Sequence, residues 1–212
     1  MPSAIRPAPK RRALPSWLRA AEARIRSFIC SLPVGFCALA LVPIGLLAAQ
    51  KGRPTQYDVE AVYLYQFGKF VEWPAKTDGP VDAFPICVMG RDPFGALLDS
   101  TVAGESIANL PLKAERVDNI DDAKRCRILY ISPSEDERIG AILDGLQNAP
   151  VLTVSDAPDF ATRGGMIQFV LQDDRVRFEI NEGTAQKAGL SLSSQLLKVA
   201  AAVRGAPAGA QP

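Results

Sequence analysis

The sequence predicts an α/β fold, a single layered α/β/α domain around a mixed sheet with a C-terminal antiparallel hairpin. Three observations predict it. Short apolar runs bounded by turn residues alternate with stretches whose apolar positions recur at three- and four-residue spacing. Elements in that order bury both faces of a sheet under helices. Near the end, Val176, Phe178 and Ile180 alternate strictly with Arg175, Arg177 and Glu179 behind the turn-forming pair Asp173-Asp174, which makes a hairpin with one wet face.

Each element follows from its residues. Over 57–73 the apolar groups Val59, Val62, Tyr63, Phe67, Phe70 and Val71 give an amphipathic helix that ends at Trp73-Pro74. The run 85–89 is a buried strand closing at Gly90. Pro93, preorganised for a first helical turn, opens a short helix through Leu98. Residues 111–117 form a strand and Asp121-Asp122 a brief helix. The β-forming run 127–132 is another strand. Ser134 then caps a helix, with Glu137 completing a capping box and Ile139, Ile142, Leu143 and Leu146 turned inward. Strands are expected at 151–154, 166–171 and 175–180. A last helix spans 193–203 with Leu196, Leu197, Val199 and Ala200 inward.

Charge and cysteine usage bear on compartment and partner. The chain has 212 residues and a formal net charge of +1, with 24 Lys/Arg against 23 Asp/Glu. Residues 1–49 hold seven of the basic groups and one acid, Glu22, so the remainder is net acidic by five. That disfavours nucleic acid as a partner, because phosphate binding needs clustered positive charge. The uncharged stretch 28–49 follows a basic region and exits through Leu47-Ala48-Ala49, the layout of a secretory signal. About 20 apolar residues can also span a bilayer, so an uncleaved N-terminal anchor is the alternative. The division is 1–49 leader, 50–204 domain and 205–212 disordered tail. Cys30 and Cys37 fall in the leader. Cys87 and Cys126 remain, and in an oxidising space they are expected to form a disulfide; two buried free thiols are the alternative.

The catalytic inventory is thin. There is no histidine, which removes Ser-His-Asp and Cys-His hydrolases and histidine-ligated metals. Adjacent acids such as Asp121-Asp122 lack the facing geometry that general acid/base work requires. No cofactor or metal is expected. Ligands of open α/β sheets sit beyond the carboxyl ends of strands, which here carry Arg91, Asp92, Ser155, Asp156 and Arg163. Arg91 and Arg163 could hold an anion, although turn and cap roles are the plainer reading of these residues. A hydrolase using Ser132, Ser134 or Ser155 is the weakest reading. Gln66 lies within the apolar arc of the first helix and could line a pocket. Phe67, Lys69 and Trp73 on that helix are further partner- or ligand-binding positions, with core packing as the plainer role for the aromatics.

Six stretches, taken in order, resemble one family. They are YLYQFGKFVEWP (63–74), ICVMGRDPFG (86–95), CRILYIS (126–132), VLTVSDAPDFATRGGMIQF (151–169), VRFEIN (176–181) and AGLSLSSQLLKVA (188–200). Together they resemble the YfiR family of periplasmic proteins across nearly all of 57–204. The resemblance implies an exported, non-catalytic α/β protein, commonly a homodimer. It would bind and repress the periplasmic domain of an inner-membrane diguanylate cyclase of the YfiN kind, or a sensor kinase, and so lower cyclic di-GMP signalling and biofilm growth. Membrane contact would come only through that partner or an uncleaved leader. The alternative is a periplasmic small-solute-binding module feeding a sensor kinase. The family's bridging pair falls on Cys87 and Cys126. Its founding member's second pair falls on Ala161 and Gln168, where no bridge can form.

Overall fold

The computed structural model describes residues 53–74 and 82–205. The leader with its cleavage or anchoring, Cys30, Cys37 and the tail beyond Gly205 lie outside the described residues.

Helix α1 (Gln56–Phe70) opens on a capping box. Thr55 Oγ1 accepts the Asp58 N–H at 3.2 Å while the Asp58 carboxylate accepts the Thr55 N–H at 2.6 Å. The helix stops three residues short of the sequence expectation. Val71–Glu72 instead forms β1, which pairs antiparallel with β9 (Ser191–Leu192). The Ser193 N–H caps the Phe70 carbonyl at 2.9 Å, so the last turn finds its partner outside the helix. The buried face is also rotated from the expected one. Ala61, Leu64, Phe67, Gly68 and the charged Glu60 face inward, whereas Val62 is 47% exposed.

The remaining strands are β2 (Phe84–Met89), β3 (Ser106–Ile107), β4 (Leu110–Val117), β5 (Ile128–Ile131), β6 (Leu152–Ser155), β7 (Ile167–Gln172), β8 (Arg175–Asn181) and β10 (Ala202–Arg204). With β9 aside, they form a mixed sheet in the order β10-β8-β7-β6-β5-β2-β4-β3. The stretch from β4 to β7 is parallel, and β3–β4 and β7–β8 are antiparallel pairs. Asp173 and Asp174 both take positive φ (50° and 56°), the backbone of a type I′ hairpin turn between β7 and β8.

The helices are α2 (Ala96–Val102), α3 (Ile120–Ala123), α4 (Ile139–Gly145), α5 (Glu182–Lys187) and α6 (Ser194–Val199). Three boundaries differ from expectation, and one helix was not expected. Pro93 does not open α2, because Asp92 Oδ1 takes the Phe94 N–H at 2.8 Å and Gly95 at φ 52° delays the helix to Ala96. Ser134 does not cap. Pro133 occupies the first helical position, so the cap falls on Ser132, whose Oγ accepts the Ser134 N–H at 3.3 Å, and a 3-10 turn (Pro133–Arg138) precedes α4. The last helix ends at Val199, and β10 follows as an edge strand parallel to β8. Val199 is consequently 60% exposed rather than inward. Helix α5, which the apolar spacing did not show, starts on an Asn181 cap that accepts the Thr184 N–H at 3.1 Å.

Alternation along the central strands divides the core in two. Ile86, Val88, Ile128, Tyr130, Leu152 and Val154 face the layer of α1, α2 and α6. Cys87, Met89, Leu129 and Ile131 face the layer of α3 and α4. In that second layer Cys87 and Cys126 form a disulfide, with Cα atoms 6.0 Å apart across 39 residues. The bridge ties β2 to the entry of β5 within a fully buried site.

Replacing Cys87 by Ser should lower stability by roughly 2–5 kcal/mol, read as a drop in melting temperature under non-reducing conditions and absent when the wild type is reduced first. Gly165→Ala should destabilise as well, because a Cβ there would sit 2.1 Å from the Phe160 ring. Denaturant melts check that loss, and an unchanged midpoint contradicts it.

Candidate functional site

The carboxyl edge of the sheet is where ligands of such folds gather, and β2, flanked by parallel β4 and β5, is its switch point. Here that edge is laced shut. Gly90 has φ 87°, and a Cβ on it would lie 2.6 Å from Ser134 Oγ. The Arg91 N–H donates to the same Oγ at 2.8 Å, leaving the Arg91 side chain on the exposed surface. Asp92 is held by Arg116, whose guanidinium also forks onto Asp99 at 2.7 and 2.9 Å and onto the Gly95 carbonyl at 2.8 Å. That hydrogen bonding keeps the Asp99 carboxyl below the usual carboxylate range. Ser155 is fully buried, donating to the Ile131 carbonyl at 2.6 Å and accepting the Ala157 N–H at 3.0 Å. Its hydroxyl stitches the ends of β5 and β6 together and reaches no solvent. Arg163 engages the carboxylate of Asp136 and, at 2.6 Å, the Asp136 carbonyl.

Asp156 belongs to a different group, which spacing alone did not reveal. Tyr130, fully buried on β5, donates its phenol to Asp156. Burial first, then the hydrogen bond and charge of Asp156, push the Tyr130 phenol far above its ordinary range; burial and Asp156 also raise Tyr57. Glu60 completes the set from α1. Its Oε1 accepts from Gln56 Nε2 at 2.7 Å, while Oε2 is buried with no hydrogen-bond partner. Burial pushes the Glu60 carboxyl up to about 8; the Gln56 hydrogen bond opposes the shift and the Asp156 charge adds to it. The Phe94 ring packs edge-on against Tyr130 at 4.7 Å and Tyr57 at 5.9 Å, walling the group with apolar surface. A signal for Glu60 existed in the sequence: it lies four residues before Leu64 and seven before Phe67, an acid inside the helix's buried register.

A second region lies between α1, β8 and α6. Tyr63, Phe67 and Phe178 form an aromatic wall with centroids 5.9 Å (Tyr63–Phe67), 5.4 Å (Tyr63–Phe178) and 5.1 Å (Phe67–Phe178) apart. With Phe70, Leu196 and Val199 they enclose an open-sided apolar cavity of about 390 Å³, where Gln66 and Gln195 supply the polar groups. Of the positions marked on the first helix, Gln66 lines this cavity, and Phe67 forms its floor as a core residue 1% exposed. Lys69 sits over the Tyr65 ring at 4.0 Å. Trp73 is turned elsewhere. Its indole N–H donates to the Arg127 carbonyl at 3.2 Å and its ring meets Phe84 edge-on at 5.1 Å. A further cavity of about 340 Å³ runs between the end of α4 and α5, with Asp144 on one side and Arg163 and Lys187 among its lining.

Ala161 and Gln168 are direct neighbours: the Ala161 N–H donates to Gln168 Oε1 at 3.0 Å. A hydrogen bond therefore joins the two positions at which the resemblance would place a second cystine. Among the described residues there is no group of three or more metal-ligating side chains, and no helix long and apolar enough to cross a membrane.

A family model described as YfiR/HmsC-like matches residues 57–201. Among solved structures, a conserved domain protein from Vibrio cholerae O1 biovar eltor str. N16961 is 13% identical, with a TM-score of 0.44 over 57% of this chain and 54% of that one. The ABC domain in complex with L-Trp from Streptococcus pneumonia is 12% identical, with a TM-score of 0.47 over 68% of this chain and 60% of that one. The chain thus spans between half and two thirds of the length of either structure.

Ser155→Ala should cost about 1–3 kcal/mol of stability, since it leaves the Ala157 N–H and the Ile131 carbonyl without their side-chain partner in the core. Thermal melting checks this, and a wild-type midpoint would contradict the stitching role.

Proposed function

The chain belongs to the YfiR/HmsC-like family, and on that footing we propose that it binds the periplasmic part of an inner-membrane diguanylate cyclase, or of a sensor kinase, and holds it inactive. The family is one of periplasmic, non-catalytic regulators of diguanylate cyclase signalling, so the finer step is the partner and the docking face. The observation that carries the face is the open-sided cavity on α1 and α6, where Val199 stays 60% exposed beside an aromatic wall. Exposed apolar surface next to rigid aromatics, with amides at the rim, is the composition of an interface hot spot.

The carboxyl edge favours the same reading. Ser155, Asp92 and Arg163 are engaged in holding strand ends and turns, and Ser155 lies out of reach of a substrate. A regulator of this kind acts by linkage. It shifts its partner only by the difference in its affinity for the inactive and active states, and a near-complete two-way switch needs about 5.5 kcal/mol of preference. Self-association as a homodimer belongs to the same proposal. So does independence from a second redox bridge, since Ala161 and Gln168 cannot form one.

The cavity also favours a second reading, a solute-binding module that passes occupancy to a sensor kinase. Its volume of about 390 Å³ suits one small apolar molecule. Calorimetry against a metabolite panel separates the two: tight binding of a solute, with no affinity for a periplasmic sensory domain, selects the module.

The docking face is tested by Val199→Asp. The side chain is exposed, so folding should hold, and affinity for the cyclase's periplasmic domain should fall at least tenfold, about 1.4 kcal/mol, in titration calorimetry. Wild-type affinity in that variant would remove α1–α6 as the docking face. Turnover of any substrate by the purified protein would overturn the regulator reading altogether.

A further inference from the structure

We propose that Glu60 is a proton-operated latch: protonated, it fastens the amino-terminal half of α1 to the carboxyl ends of β5 and β6, and ionised, it releases that half of the helix. The consequence for docking rests on the function proposed above, because α1 also carries Tyr63, Gln66 and Phe70 of the docking face. The latch itself does not.

The latch follows from an imbalance of charge. Glu60 is wholly buried on α1, next to a second carboxyl, Asp156, and the phenols Tyr57 and Tyr130. Tyr130 donates to Asp156, so the phenol proton is already spent there. Gln56 serves one Glu60 oxygen, and the other has no donor at all. None of the ion pairs among the described residues involves Glu60 or Asp156.

Among the described residues no cation is engaged with Glu60. Arg127, at the opposite, amino end of β5, is buried with Nε and Nη1 unpartnered, and burial alone lowers its pKa. The Arg91 side chain beyond β2 lies on the exposed surface. On α2 the acid is Asp99, taken up by Arg116. On β8 Phe178 and Ile180 turn towards α1, whereas Arg175, Arg177 and Glu179 alternate to the other face, Glu179 paired with Arg204. Lys198 on α6 and Glu72 on β1 are exposed. A wholly buried carboxylate with one oxygen unpartnered and no cation bonded to it is costly to keep ionised, so a proton on Glu60 is what lets α1 close. When that proton leaves, relief comes from exposing Glu60 to water, and the element free to move is α1, whose Glu60 Oε2 has no bond to break.

The sign is fixed by linkage. A released Glu60 titrates as an ordinary carboxyl and the latched one near neutrality, so the latched state binds more protons and weakens as pH rises between those two limits. The protein therefore presents a firm α1 in acid and a loosened one in alkali. An exported domain without cytoplasmic buffering would meet that range directly.

Native-state hydrogen exchange on the purified protein without partner tests the latch, with each rate divided by its intrinsic value at that pH. Between pH 6 and pH 9 the α1 amides should lose at least about tenfold in protection relative to β5 and β6. Glu60→Gln, isosteric and always neutral, should hold α1 protection constant. Carbon NMR of the Glu60 side-chain carboxyl in the wild type gives an independent reading should the variant fold poorly; its titration should fall near neutrality or above. A wild-type α1 with flat protection, a Glu60→Gln profile tracking the wild type, loss spread evenly over helix and sheet, or a Glu60 carboxyl titrating below pH 6 would each overturn the latch. A missing partner would change none of these outcomes, and failure of the docking proposal is read separately from the partner titration.

Discussion

Two-sided burial of β2 and β5 is the constraint on which the rest of the structure depends. Both strands are short and lie in the middle of the sheet, and nearly every residue in them is fully buried. Successive side chains must therefore supply two cores at once, Ile86, Val88, Ile128 and Tyr130 to one layer and Cys87, Met89, Leu129 and Ile131 to the other. Slipping either strand by one residue would exchange the two sets and pull the cystine into the wrong layer. The disulfide thus does more than shorten the unfolded chain: it sits on one face of the register that both cores require.

That constraint also explains how the polar groups beyond the strand ends are used and where apolar surface stays open. Strand ends this close together need their backbone groups satisfied, and the polar residues beyond β2, β5 and β6 are used to do it. Ser134, Ser155, Asp92 and Arg116 hold loops and strand ends. Open apolar surface is left where the helices are short. Helix α6 ends after six residues at Val199, which stays exposed at the open side of the cavity that Tyr63, Phe67 and Phe178 line. An apolar cavity with one open side is the result. The regulator reading follows from this division between a closed strand edge and an open helical face.

Much of the architecture was legible in the sequence. The alternation of apolar strands with amphipathic helices foretold the layered α/β arrangement, and Asp173-Asp174 marked the hairpin, because aspartate tolerates the left-handed backbone such a turn needs. The pairing of Cys87 with Cys126 was the disulfide that an exported chain with two cysteines beyond its leader would form. Element ends were less legible, for competing hydrogen bonds set them. Phe70's carbonyl found Ser193, and Asp92 took the Phe94 N–H, ending or delaying helices that spacing alone would have run on.

The sequence by itself determined which residues alternate and which turns bend, since these depend on neighbours a few positions away. Only the tertiary structure decided that Glu60, Tyr130 and Asp156, spread over almost 100 residues of chain, come together at one end of the sheet, and that Val199 on α6 stands exposed at the cavity that Phe67 on α1 lines. Burial and the company a charged group keeps are properties of packed layers, and no local pattern of residues encodes the distance between two helices or the absence of a cation.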